Sequence, residues 1–126
     1  MPFPDMENAL CDALTAVTTR TGTPAPKRDV EPPEIRLLRV PGAPPGTPWQ
    51  DIVQVEITHY GASRAQAWEL ARETETLLQA LNPNGGRVGG AFVDYALKVA
   101  DGVMTVDQNP DVRPVVAVWR FAVRDQ

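Results

Sequence analysis

The stretch "DIVQVEITHYGASRAQAWELA", residues 51 to 71, contains the change of periodicity that decides the fold. Apolar and polar residues alternate from Asp51 to Tyr60, which is the period of a half-buried β-strand. After Gly61, apolar residues recur at helical spacing from Arg64 to Leu81. A strand and a helix, joined by a short turn, are therefore predicted here.

The turn between these two elements has some features of the nucleophile elbow of hydrolases. Gly61 and Ser63 stand between a strand and a helix, and His59 lies just upstream. The chemistry does not fit, because Ala65 replaces the second elbow glycine, the histidine precedes the serine, and the chain is too short for that fold. Ser63 with Gln66 instead matches a capping box. We therefore predict no catalytic residue, and we expect His59 to pack at the sheet margin.

The remaining periodicities predict a first helix and three more strands. Helical spacing covers residues 5 to 19, with Asp5 as the cap. Strands are predicted at residues 34 to 40, 91 to 100 and 115 to 123. In the second of these strands, the alternation predicts a single apolar face made of Val93, Tyr95, Leu97 and Val99. Asp101 and Gly102 form either a tight hairpin turn or a bend that leads into an extended segment.

Proline- and glycine-rich segments connect these elements. Eight of the thirteen prolines lie between residues 24 and 48, and proline resists both helix and central strand. Long loops are accordingly expected at residues 21 to 33, 41 to 50 and 82 to 90. The predicted fold is a single α+β domain over residues 1 to 126. About four mainly antiparallel strands form a sheet covered by two helices, in the order helix, hairpin, helix, hairpin.

The net charge, the cysteine count and the lengths of the apolar runs exclude several classes of function. A net charge of −4 lacks the basic excess of a general nucleic-acid binder. Cys11 is the single cysteine, so neither an intrachain disulfide nor a cysteine-rich zinc site can form. We expect Cys11 to be a small, partly buried residue and not a nucleophile. No apolar run approaches the ~18 residues of a bilayer span. The sequence therefore predicts no metal, no cofactor and no membrane segment.

Residues in two parts of the chain belong to a wider arrangement. A strand ending in an aromatic residue leads through a short turn into a helix, with the matching positions Ser63, Arg64, Ala67, Leu70 and Ala71. Near the end, a Pro-Asp turn, an arginine and a last strand ending in Val-Arg are formed by Pro110, Asp111, Arg113, Val123 and Arg124. This arrangement resembles the tail terminator (tail completion) proteins of long-tailed bacteriophages, especially those that infect actinobacteria.

The resemblance implies a structural virion protein and not an enzyme. It implies a homo-oligomeric ring, usually a hexamer, that caps the tail tube, ends tube growth and provides the joint to the head-side connector. The implied partners are further copies of the chain, the major tail tube protein and the connector or stopper protein. DNA passes through the lumen without specific binding. The implied location is the head–tail junction of a virion assembled in the host cytoplasm.

Six residues are candidates for the ring or tube interface, because arginine and aromatic side chains often anchor interfaces and long loops often carry contacts. They are Pro45, Trp49, Arg64, Arg87, Arg113 and Arg124. The alternatives are another neck, head-closure or head–tail joining protein of the same virion, a small hydrolase using Ser63, and a monomeric ligand-binding domain.

Overall fold

A six-stranded sheet with two helices forms the framework of the protein. The computed structural model describes residues 5–18, 21–22, 33–104 and 113–124. Within these residues the elements are α1 (Met6–Leu14), β1 (Thr21–Gly22), β2 (Glu34–Val40), β3 (Gln50–Gly61), α2 (Arg64–Gln79), β4 (Gly86–Val88), β5 (Ala91–Met104) and β6 (Arg113–Arg124). The predicted α+β class is confirmed.

The strands are arranged in the spatial order β1-β2-β3-β6-β5-β4. Only β1 and β2 run parallel, and every other neighbouring pair is antiparallel. The central strands β3 and β6 pair along their full length, from Gln50 opposite Arg124 to Gly61 opposite Arg113. We call the end with Gln50 and Arg124 the tip end of the sheet, because the β2–β3 loop lies there. The end with Gly61 and Arg113 is the far end.

The sheet contains two strands that the sequence did not predict. β1 and β4 are only two and three residues long and lie at the two edges of the sheet. Both fall inside segments predicted to be loops, residues 21 to 33 and 82 to 90, and the order helix, hairpin, helix, hairpin is therefore incomplete. Segments this short have no readable alternation, and they become strands only because a longer neighbour offers unpaired backbone groups.

The bounds of the longer elements also differ from the predicted ones. α1 ends at Leu14 and not at residue 19, where β-branched residues begin to lower helix propensity. β5 continues through Asp101 and Gly102 to Met104, which pairs with Val115. Of the two alternatives for Asp101 and Gly102, the extended segment is thus the observed one.

Register shifts in β5 overturn the predicted apolar face of that strand. The pairing moves from Val93 opposite Val123 to Tyr95 opposite Ala122, so Asp94 is an extra residue. Val93 and Ala96 point into the core, whereas Leu97 is 51% exposed. Because strand side chains alternate, one inserted residue sends the residues that follow it to the opposite face, up to the next register shift between Lys98 and Ala100.

Both helices pack on one face of the sheet, which we call the inner face. α1 contacts β1, β2 and β4, and α2 contacts β3, β5 and β6. Since β2 and β4 lie toward opposite edges, the sheet must curl around α1. The large side chains buried in the core are Met6, Leu10, Leu14, Ile35, Leu37, Ile57, Leu78, Trp119 and Phe121. Burial of each stabilises the fold by roughly 1.5–3 kcal/mol.

Candidate interface surfaces

The strand–turn–helix junction at Ser63 is a structural cap. The Ser63 hydroxyl accepts a hydrogen bond from the Gln66 N–H at 3.1 Å. The Gln66 side-chain oxygen in turn accepts from the Ala62 N–H at 2.6 Å. The predicted capping box is therefore confirmed, with the glutamine reaching one residue further back than the standard pattern. The Ser63 hydroxyl, which a nucleophilic mechanism would need, is therefore part of the helix start.

His59 packs near the end of β3, as predicted, but it is enclosed between β3, β6 and α2 more fully than a position at the sheet margin implies. Its side chain is 1% exposed. Nδ1 lies 3.0 Å from the Val115 carbonyl oxygen and Nε2 lies 3.0 Å from the Thr74 hydroxyl. Nδ1 must donate, because a carbonyl only accepts, so Nε2 accepts from Thr74. Burial lowers the pKa of His59 to about 4, which the Val115 hydrogen bond partly opposes.

The arrangement of these residues gives no acid–base pair for Ser63. Both ring nitrogens of His59 already have partners in the core, and the Ser63 oxygen is used by the helix cap.

The other candidate groups also give no reactive or metal-binding site. Burial raises the pKa of the Cys11 thiol, and the carboxylates of Asp12, Glu7 and Asp5 add to this effect. Over the described residues, no group of three histidine, cysteine or acidic side chains could hold a metal ion. Nor is any helix in those ranges long and apolar enough to cross a membrane.

The sheet face opposite the helices, the outer face, has no covering element among the described residues. Leu38 and Leu97 are large apolar side chains exposed there. Arg120 lies between them and donates from Nε and Nη2 to the Gln54 side-chain oxygen, at 3.1 and 2.8 Å. Leu38 and Leu97 lie on β2 and β5, with β3 and β6 between them, so they are separate exposed apolar side chains on a face that is otherwise open.

The β2–β3 loop, residues 41 to 49, forms an ordered projection at the tip end. Thr47 and Gln50 exchange backbone hydrogen bonds of 2.7 and 3.3 Å around the turn. Trp49 lies inside this turn and is 67% exposed, and Pro45 is exposed beside it. Gly46 is required for this turn, because a Cβ there would lie 2.3 Å from the Gln50 carbonyl oxygen. The loop therefore holds an aromatic side chain out in solvent.

A groove of about 640 Å³ separates the turn after α1 from the solvent side of α2. Its apolar lining consists of Ala16, Val17, Leu77 and Ala80. Its polar lining consists of Glu69, Arg72, Glu73 and Thr76. We call this feature the α1–α2 groove. Sequence reasoning missed it, since the residues that meet there come from the turn after α1 and from α2, more than fifty positions apart in the chain.

The six candidate interface residues lie at the two ends of the sheet. Pro45, Trp49 and Arg124 lie at the tip end, where Gln50 pairs with Arg124. Arg87 in β4 pairs with Phe92 near the same end. Arg64 opens α2 at the far end, shortly after Gly61, which pairs with Arg113 of β6. The Arg113 side chain lies outside the described residues.

The structure gives Arg124 partners within its own chain. Its Nη2 atom lies 2.7 Å from Asp94 Oδ1, and its guanidinium lies 4.6 Å from the centre of the Phe92 ring. Gln50 donates to the other Asp94 oxygen at 2.8 Å. Burial alone would raise the pKa of Asp94, but the bonds from Arg124 and Gln50 lower it below its ordinary value. Asp94 of β5 thus ties the start of β3, through Gln50, to the end of β6, through Arg124.

Comparison with solved structures finds this fold in a virus-like particle. A chain of the structure "Virion of native gene transfer agent (GTA) particle" is similar with a TM-score of 0.65 at 12% sequence identity. The similarity covers 93% of this chain and 96% of that chain. No protein-family model matches the chain, and no curated protein matches its sequence. At this identity, the likeness shows a shared fold over nearly the whole of both chains.

Proposed function

We propose that the protein is a structural component of a phage-like virion, and more specifically its tail terminator. In this role it forms a ring, expected to be a hexamer, that caps the tail tube, ends its growth and joins it to the head-side connector. The observation that carries the proposal is the likeness of fold, over almost the full length of both chains, to a chain of a gene transfer agent virion. The tail terminator resemblance of the sequence supports the finer assignment.

The distribution of exposed residues supports a joining role. A tail terminator contacts the tube on one side and the connector on the other. Two of the candidate residues lie at opposite ends of one sheet, with Arg87 near the tip end and Arg64 at the far end. The outer face and the α1–α2 groove lie between those ends and remain for contacts between copies. A ring needs two different patches of this kind on each subunit.

The proposal includes no enzymatic step and no cofactor. The side chains that came nearest to a catalytic arrangement, His59 and Ser63, hold the core and the α2 start. DNA is proposed to pass through the ring lumen without specific binding, in keeping with the net charge of −4. The proposed location is the head–tail junction of the virion, away from any membrane.

Electron microscopy of the purified protein mixed with tail tubes tests the proposal. The expected result is rings at one end of each tube, together with a fixed tube length when the protein is present during tube assembly. Mass photometry of the same mixture gives the number of copies in the ring. A protein that ignores tubes and connectors at all concentrations would contradict the proposal. Binding to the connector alone would favour the alternative, another neck or head-closure protein.

A further inference from the structure

The β2–β3 loop, which we call the tip loop, has the properties of an anchor that enters a partner. Trp49 is the most exposed of the large apolar side chains among the described residues, at 67%. No residue from 41 to 50 is charged, so burial of the loop desolvates no ion. The Thr47–Gln50 backbone bonds and the four prolines of the loop already restrict it. Docking a restricted loop costs less conformational entropy than docking a flexible one.

The α1–α2 groove has the size and lining that such an anchor needs. Its volume of about 640 Å³ lies within the ~300–1,000 Å³ of typical binding pockets. Val17 and Leu77 supply apolar surface for the faces of an indole, and Ala80 leaves room beside them. An indole buried there would remove apolar surface of both partners from water.

The polar rim of the groove complements the one polar atom of tryptophan. The indole N–H only donates. Glu69 and Glu73 are exposed on this rim and enter none of the ion pairs found in the described ranges. A carboxylate bond from an indole N–H would be charge-assisted. Arg72 lies between the two glutamates and can stack on the ring face as a cation.

The groove and the anchor cannot meet within one molecule. No residue of the tip loop lines the groove, and the loop leaves the sheet at the start of β3 whereas the groove lies on the solvent side of α2. Building on the proposed ring, we propose that Trp49 of one copy docks in the α1–α2 groove of the next copy. This contact joins two different patches, so repeated copies add head to tail and close into a ring.

Substitution of exposed residues tests the contact without unfolding the protein. Trp49→Ala is expected to weaken self-association roughly thirty-fold or more, as loss of a tryptophan hot spot does. Ala80→Glu should weaken it to a similar degree, and the double variant should lose no more than either single variant, because both remove the same contact. Leu97→Ala, a matched loss of an exposed apolar side chain elsewhere, should leave self-association within two-fold of the wild type. Sedimentation velocity gives the association constants, and circular dichroism checks the fold.

Cross-linking identifies which surfaces meet. In a Cys11→Ser background, Thr47→Cys, which leaves Trp49 in place, is made in an untagged population, and Thr76→Cys is made in a second population that carries an affinity tag. A cross-link between the tagged and untagged chains supports the contact, both in tube-bound rings and in concentrated free protein. The pairing of Leu97→Cys with Thr76→Cys is the negative control. Rings without the Thr47→Cys to Thr76→Cys cross-link would overturn the inference and leave the proposed function standing.

The same variants distinguish other occupants of the groove. If residues 23 to 32 of the same chain filled it, Trp49→Ala would leave self-association unchanged and the cross-link would be absent. If Trp49 instead contacted the tube protein, Trp49→Ala would lower tube binding and leave self-association unchanged. Either result overturns the inference. If the wild type forms no rings at tubes, the proposed function fails, and the cross-link in concentrated protein still decides whether the contact exists.

Discussion

His59 joins three elements of the fold through a side chain that is buried in its neutral form. Its ring is bonded to the Val115 carbonyl of β6 and to the Thr74 hydroxyl of α2, while its backbone belongs to β3. This arrangement needs the neutral tautomer with the proton on Nδ1. The sequence showed only a histidine near the end of a strand. Its burial depends on α2, which folds back over that strand end.

The His59 arrangement predicts a loss of stability in acid. The pKa in the folded state is about 4, below the ordinary value of 6.5. Since the unfolded chain then binds the proton more readily, the stability contribution is complete above pH 6.5 and falls as the pH decreases to 4. The expected loss in the free energy of unfolding is about 3 kcal/mol. Urea unfolding at pH 7, 5.5 and 4 measures it.

The control for this titration is His59→Gln, which keeps one donor and one acceptor but does not titrate. The variant is expected to be less stable at pH 7 and to lose less stability than the wild type between pH 7 and 4. Subtracting the two curves removes the contribution of the carboxylates. Parallel curves for the two proteins would show that His59 is not the titrating group.

At the scale of single elements, α2 depends on its cap. Ser63→Ala removes the acceptor for the Gln66 N–H and is expected to lower the free energy of unfolding by about 1 kcal/mol. Ser63→Asp keeps an acceptor at the cap and should retain nearly all of the stability. Denaturant midpoints of the two variants provide the measurement. Equal destabilisation by both would mean that the hydroxyl has another role.

Asn82 acts as a substitute for a neighbouring strand along β5. Its side-chain oxygen accepts from the Ala96 N–H at 3.1 Å, and its nitrogen donates to the Ala96 carbonyl. β4 pairs with β5 only from Ala91 to Val93, so this amide satisfies backbone groups beyond the end of β4. The turn after α2 is tied to the sheet by these two bonds.

Asn82→Ala is therefore expected to destabilise the fold by ~1–3 kcal/mol, because the Ala96 backbone groups lose their partner. Asn84→Ala, in the same turn and exposed, should change stability by less than ~0.5 kcal/mol. Thermal or urea unfolding compares the two variants. A similar cost for both would indicate a general effect of the turn and not of the Ala96 bonds.

At the scale of the whole molecule, the two ends of the sheet are expected to serve different partners. Arg64→Glu changes the far end and Arg87→Glu changes the tip end, and both side chains are exposed. Each variant should fold normally and lose binding to only one of the two partners, the tube or the connector. Pull-down with isolated tubes and with isolated connectors checks this. Loss of both partners in both variants would contradict the division of roles.

Different features of this protein depend on information at different distances along the chain. The sequence alone determined β3, α2 and the Ser63 cap, because periodicity and capping act over a few residues. The tertiary structure decided the β5 bulge, the edge strands β1 and β4, the burial of His59 and the α1–α2 groove. Each of these depends on pairing or packing between distant segments, and one inserted residue such as Asp94 reverses the face that follows it.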